Sequence, residues 1–333
     1  MTHAKPSALA ATLALVFLSS TGLFAENKQL RQRAEAMWQK AHEVSALDQA
    51  SMPPYDEQAV FHLEGVTTGQ LKGIFIKDFV NADTWMTKTK VGQYDGLSIR
   101  KNGRLYRHEN TDFTPVGIGA LHSAMDMEKI STLKEEWIRK IFPVTFDGTS
   151  ATCIQTEIEY YALRELNVTC VSDKDGTLVS NSRLSQTIRY LEYTEFHNKL
   201  VPTKLEVLEQ GHKIVEATLS YHDQPKLSPA AIQVPDGWQP EPECKLRTPP
   251  LPQSQIAPEP PRGFDFDGPR KVIVQILIGK DGRVSKSMVV ETSGAEFDKR
   301  AEEAARNWRF KPSLCDGVPI ETKANLELSF RKE

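Results

Sequence analysis

Thr292–Pro312 reads TSGAEFDKRAEEAARNWRFKP, and this stretch decides how the C-terminal part of the chain folds. Ser293 and Glu296 stand at capping-box spacing, which predicts a helix start. Phe297, Ala301, Ala304, Ala305 and Trp308 then recur at helical intervals, so one face of the helix is apolar and has to be buried. Lys311-Pro312 predicts its end, because proline lacks the N–H that the helix needs. Upstream, Val272–Ile278 is rich in β-branched residues and reads as a strand. Gly279-Lys280-Asp281-Gly282 reads as a hairpin turn and Val284–Glu291 as the return strand. Downstream, Gly317-Val318-Pro319 reads as a second turn. Ile320–Phe330 reads as a last strand, in which Ala324, Leu326, Leu328 and Phe330 alternate with Lys323, Asn325, Glu327 and Ser329. The order is β-β-α-β. A small sheet of this kind leaves an open edge, whose unpaired N–H and C=O groups can accept a strand from a partner.

Before this module lies a proline-rich segment, Asp223–Arg262. Eleven of the chain's 20 prolines fall in it, which predicts a semi-extended polyproline II linker with a reach of at most about 120 Å. The alternative is that the part near Trp238 packs on a neighbouring domain.

Residues 26–222 read as a β-rich domain behind a leading helix. From Lys28 to about Ala46, Leu30, Ala34, Met37, Trp38, Ala41 and Val44 recur at helical spacing, and Met52-Pro53-Pro54 ends the pattern. Ala59–Val66, Leu71–Phe79 and Trp85–Val91 read as strands, and Asn102-Gly103 marks a hairpin, because both residues tolerate φ > 0. Helical patches are expected near Gly117–Met127 and Leu133–Ile141. Strands resume at Thr152–Tyr161, Val168–Val171, Thr177–Asn181, Gln186–Phe196, Lys204–Glu209 and Lys213–Tyr221. Many antiparallel strands with one amphipathic helix suggest a sheet curled around a helix.

The first 25 residues read as an export signal: His3 and Lys5, an apolar run from Ala8 to Leu18, and small Ala25 before the cut. An uncleaved anchor over Ala8–Ala25 is the alternative, because that stretch nearly reaches bilayer length. An exported chain permits disulfides among Cys153, Cys170, Cys244 and Cys315. Of the three pairings, sequence proximity favours Cys153 with Cys170, which leaves Cys244 for Cys315; free buried thiols are the other reading.

Thr292–Pro312, with Gly317-x-Pro319 after it and the D-G-R-V turn before it, resembles the TonB C-terminal domain family. The matching residues include Ser293, Gly294, Phe297, Asp298, Trp308, Phe310 and Pro312. The resemblance implies a module that binds the TonB box of an outer-membrane receptor by strand addition. The receiving strand would then carry Ile320, Thr322, Ala324, Leu326, Leu328 and Phe330. Phe297, Ala301, Trp308 and Phe310 also have a simpler role, packing the helix on the sheet. Two features depart from the family's energy transducers: residues 8–25 hold no ionisable group suited to a proton-driven motor, and a domain of about 200 residues precedes the linker. Residues 26–222 resemble the LolA-like envelope carriers in pattern, including Leu200–Glu206 before the Gly211 turn. That resemblance implies an incomplete β-barrel holding an acyl chain, with Phe75, Trp85, Ile99 and Leu191 as pocket-lining candidates; a filled core is the alternative.

The net charge of −3 excludes broad attraction to nucleic acid. No metal-binding spacing, nucleophile elbow or phosphate loop is present; His212 and His222 read as solvated, and Glu157 and Glu159 as a wet strand face. The expected architecture is α+β. A signal peptide or anchor spans residues 1–25, a curved antiparallel sheet (an incomplete β-barrel) with helices 26–222, a proline-rich linker 223–262 and a β-β-α-β domain 263–333. The expected function is protein recognition in the periplasm, without catalysis, metal or cofactor. The partner is an outer-membrane TonB-dependent receptor or another envelope protein. The alternatives are a lipid or lipoprotein carrier and an inner-membrane transducer.

Overall fold

The computed structural model describes residues 20–330, except 48–50, 66–68, 126–136, 161–162, 184–185, 210, 224–227, 229, 262, 264–267 and 269. The segment read as an export signal lies outside the described residues up to residue 19. Among the described residues there are three helices and twenty strands. In chain order they begin with α1 (Ser20–Ser45), β1 (Tyr55–Gly65), β2 (Gly69–Asn81), β3 (Thr84–Val91), β4 (Tyr94–Lys101), β5 (Arg104–Glu109) and α2 (Val116–Met125). Then come β6 (Trp137–Phe146), β7 (Thr149–Tyr160), β8 (Leu163–Ser172), β9 (Leu178–Arg183), β10 (Gln186–Phe196), β11 (Lys199–Glu209) and β12 (His212–His222). The rest are β13 (Arg247–Thr248), β14 (Leu251–Ser254), β15 (Arg270–Ile278), β16 (Val284–Glu291), α3 (Ala295–Asn307), β17 (Arg309–Lys311), β18 (Ser313–Cys315), β19 (Val318–Ile320) and β20 (Thr322–Phe330).

The chain divides into two compact units. The first comprises residues up to Val44 and Lys129–Leu184, with α1 and the antiparallel strands in the order β9-β8-β7-β6. The apolar stripe of α1 buries Ala34 and Trp38 against Ile138 and Ile154. Cys153 and Cys170 face each other in the β7–β8 register and are disulfide-bonded. The helix expected over Leu133–Ile141 is corrected: Trp137–Ile141 lie in β6. A bulge there explains the misleading spacing. Ile138 pairs with Thr156 and Lys140 with Gln155, so Arg139 is an extra residue. The bulge puts Ile138 and Ile141, three residues apart, against the same apolar cluster, and in sequence that spacing looks helical.

The second unit, Ser45–Glu128 and Ser185–Glu333, carries strands in the order β5-β4-β3-β2-β1-β12-β11-β10. Both residues of the Asn102-Gly103 turn have positive φ, as its hairpin signal requires. One face of this sheet packs α2. Gly117 approaches Leu63 and Val215 so closely that a Cβ would lie 2.7 Å from Leu63 Cδ2. Thr89 Oγ1 lies 2.9 Å from His122 Nε2, and Tyr190 Oη donates to Ala124 O at 3.1 Å. The opposite, outer face carries a cross-strand row, His222–Asp56–Asp78–Met86–Ile99–Tyr106. Asp56, Asp78 and Ile99 are buried in it. His222 is exposed, as its reading as a solvated residue expects, and its Nδ1 lies 3.0 Å from Asp56 Oδ1.

The proline-rich segment is not free of the neighbouring strands. Trp238 packs on His108, and Glu241 N donates to Leu105 O at 2.7 Å on the outer edge of β5. Further on, β13 pairs with β18 and β14 with β17. Cys244 is bonded to Cys315, and Trp308 Nε1 donates to Ile256 O at 2.9 Å. Residues from Cys244 onward are therefore stitched into the C-terminal module.

That module is built on the sheet β16-β15-β20, with β15 in the middle. α3 buries Phe297, Ala301 and Ala305 against Val272, Val274, Ile276, Leu326, Leu328 and Phe330. The capping box is corrected. Gly294 is the N-cap, while the Ser293 hydroxyl donates to Lys271 O on β15. Asp298 instead accepts from the Thr292 hydroxyl and from Ser293 N. The helix also ends earlier than Pro312 suggested, because Trp308 is already extended and Arg309–Lys311 form β17.

Gly282 explains the Asp-Gly turn doubly. Its φ is +77°, and a Cβ would sit 1.9 Å from Phe310 O, where β17 crosses the turn. Gly282→Ala should therefore destabilise the C-terminal module by about 2–4 kcal/mol. Chemical denaturation, followed through Trp308 fluorescence, measures it. Replacing Cys153 and Cys170 by alanine together should cost about 3 kcal/mol of stability, from the loop they close. Denaturation of the oxidised parent and the double variant gives that difference.

Candidate functional site

The strand singled out by sequence is largely β20. Thr322, Ala324, Leu326, Leu328 and Phe330 project toward α3, with Leu326, Leu328 and Phe330 buried. Ile320 does not belong to this strand. It pairs with Ser313 in the β18–β19 hairpin, which Asp316 and Gly317 close with positive φ. β20 pairs with β15 on one side and is the last strand of its sheet, so its other edge presents backbone donors and acceptors. Of the motif residues, Phe297 and Phe310 are buried core, Trp308 packs beside them, and Gly294 and Asp298 shape the helix start.

The sheet face opposite α3 sets Lys286, Lys323, Gln275 and Asn325 around Ile273, Leu277 and Met288, and it meets the end of β5 and the segment after it. Lys286 on β16, Leu277 on β15 and Lys323 on β20 lie in one cross-strand row. Lys323 pairs with Glu109, and Lys286 Nζ lies 2.6 Å from Asp112 Oδ2. One row along, buried Gln275 accepts from Thr114 N at 2.7 Å and donates to Asn325 Oδ1 at 2.9 Å. Glu109 is held in place from its own side, accepting from Thr114 Oγ1 at 3.1 Å and Tyr94 Oη at 3.2 Å. Burial and, next, the Glu109 carboxylate push the Tyr94 phenol well above its ordinary range, so Tyr94 remains a donor. Asn110 ties the segment to the β3–β4 turn, accepting from Asp95 N at 2.8 Å and donating to Gln93 O at 2.7 Å.

At the end of β16, burial raises the pKa of Glu291; the Glu209 and Glu327 carboxylates raise it further, and Lys271 and His212 offset part of the effect.

The four residues expected to line a lipid pocket do not converge. Phe75 lies on the α2 face, beside His122. Trp85 shares that face but packs with Tyr55 and Phe79. Ile99 pairs with Met86 and so points to the outer face. Leu191 is the extra residue of a bulge between Tyr190 and Glu192 and is 38% exposed. Sequence reading missed the contacts of Glu109, Asp112 and Thr114; they lie in a polar turn whose partners are far along the chain. Among the described residues, no group of three or more His, Cys, Asp or Glu is arranged to hold a metal ion, and no helix is long and apolar enough to cross a membrane.

A three-stranded sheet, one covering helix and a terminal strand at the sheet's end make a small α+β module. Residues 271–331 match the family described as Gram-negative bacterial TonB protein C-terminal. Protein TonB of Vibrio cholerae is 31% identical over 87 residues, which are 26% of this chain and 36% of that protein. The chain thus spans about a third of that relative's length. Among solved structures, a LolA superfamily protein from Nitrosomonas europaea is similar over 60% of this chain and 97% of its own, at 9% identity and a TM-score of 0.40. A DUF1329 family protein from Desulfovibrio piger is similar over 61% and 96%, at 9% identity and a TM-score of 0.40.

The raised pKa of Glu291 makes a prediction with a definite sign. A carboxyl raised in the folded state costs stability above that pKa, and the cost disappears as it is protonated in acid. Glu291→Gln should raise the melting temperature at neutral pH by about 1–2 °C and change nothing near pH 4. Melting curves of parent and variant across that range test it.

Proposed function

We propose that this chain is an exported protein of the bacterial envelope that recognises a partner by adding the partner's extended segment to the open edge of β20. The observation that carries this reading is the coincidence of two facts. Residues 271–331 match the TonB C-terminal family, and β20 is the terminal strand of its sheet. Backbone bonds along Thr322–Phe330 would supply affinity, and side chains on alternate positions would supply selectivity. The fitting partner is the TonB box of an outer-membrane receptor or a similar extended segment of an envelope protein.

The periplasm is the compartment that suits this reading. Two disulfides fit an oxidising environment, and residues 1–25 have the make-up of an export signal. Recognition, rather than long-range energy transduction, suits the anchored linker. Contacts at Trp238 and Glu241 and the Cys244–Cys315 bond leave far less free chain than the 40 residues of the proline-rich segment.

The test is an NMR titration of the isotope-labelled chain with TonB-box peptides from receptors of the same cell. Shifts and slowed amide exchange concentrated on Thr322–Phe330 are the expected outcome. Binding that leaves those amides unmoved sinks strand addition at β20, as does an absence of binding at about millimolar peptide.

A further inference from the structure

We propose that residues 109–114 are a latch: their carboxylates hold the face of the C-terminal sheet opposite α3, and a partner segment carrying its own carboxylate displaces Glu109 from Lys323. The proposal rests on the strand-addition reading and adds the chemistry of the partner and the regulation of the site. Three observations carry it.

The first is charge matching. The sheet presents Lys286 and Lys323 on its two outer strands, and the segment meets them with Asp112 and Glu109. Thr114 N, bonded to Gln275, fixes the segment over the middle strand. The second is preorganisation. Tyr94, Asp95 and Gln93 hold the segment from behind and Thr114 braces Glu109 within it, so its carboxylates reach the lysines with little left to order. The third is position. Lys323 belongs to β20 itself, and a strand added there places a side chain across from it, within reach of its ammonium group. A carboxylate on the incoming strand and Glu109 then compete for one cation. A partner without that charge adds its strand but leaves the latch closed.

Hydrogen exchange and peptide affinity, both measured on the full chain, test the proposal. The variant E109K/D112K turns attraction into repulsion. Its Thr114 amide should exchange at least about tenfold faster than in the parent, with the rest of the chain still folded by melting. A peptide with a glutamate across from Lys323 should bind it at least about threefold more tightly than the parent, since nothing has to be displaced. Adding K286E/K323E should slow Thr114 exchange again and shift preference to a peptide with lysine at that position. The milder pair E109Q/D112N should move both readouts the same way by less.

Unchanged Thr114 exchange in E109K/D112K overturns the latch, whatever the peptide does. Faster exchange with unchanged affinity overturns competition for Lys323. If exchange accelerates but no variant binds peptide, the strand-addition reading fails, and the competitive role fails with it.

Discussion

Every open sheet ends in strands whose outward N–H and C=O groups lack a partner, and the second unit of this chain answers that constraint in two ways. At β5 the outer edge is engaged by the chain itself: Glu241 N bonds Leu105 O, Arg107 pairs with Glu241, and Trp238 lies on His108. The C-terminal sheet ends in β16 and β20, and among the described residues the outer edge of β20 pairs with no further strand. The closed edge fixes where the proline-rich segment runs and, through it, where the C-terminal module begins.

The segment joining the two is shorter in effect than its composition implies. From Cys244 onward it is part of the C-terminal fold through β13, β14, a disulfide and the Trp308–Ile256 bond. Pro252 suits β14, which among the described residues neighbours only β17, so only some of its N–H groups need a partner. The sheet face opposite α3 then settles on Glu109, Asp112 and Thr114. Ion pairs to Glu109 and Asp112 and the Thr114–Gln275 bond join that face to the end of β5, and contacts of this kind can open and close.

The parts of this architecture written in local signals were legible in the sequence. The α3 stripe, the Asn102-Gly103 and Asp281-Gly282 turns and the alternation of Leu326, Leu328 and Phe330 each depend on a few neighbouring residues, and each appears in place. Errors arose where a distant partner decides. The spacing of Ile138 and Ile141 looked helical because a bulge at Arg139 turns both toward α1. Ile320 looked continuous with β20 until Ser313 claimed it, and Ser293 looked like a cap until Lys271 accepted its hydroxyl. Ile99 and Phe75 lie on opposite faces, and only the β3–β4 register reveals it. The contact between Glu109 and Lys323 joins residues 214 positions apart, which no periodicity could reveal.

The bond between Cys244 and Cys315 also settles how the module would carry tension. A partner pulling along β20 loads its ladder with β15 in shear, so the inter-strand bonds share the strain instead of opening one at a time. Strain reaching Cys315 can pass straight to Cys244, around α3 and the β15–β16 hairpin that lie between them in sequence. The covalent shortcut would make the tether pull at the β18–β19 hairpin, and α3 with the β15–β16 hairpin would be left out of the path of the force.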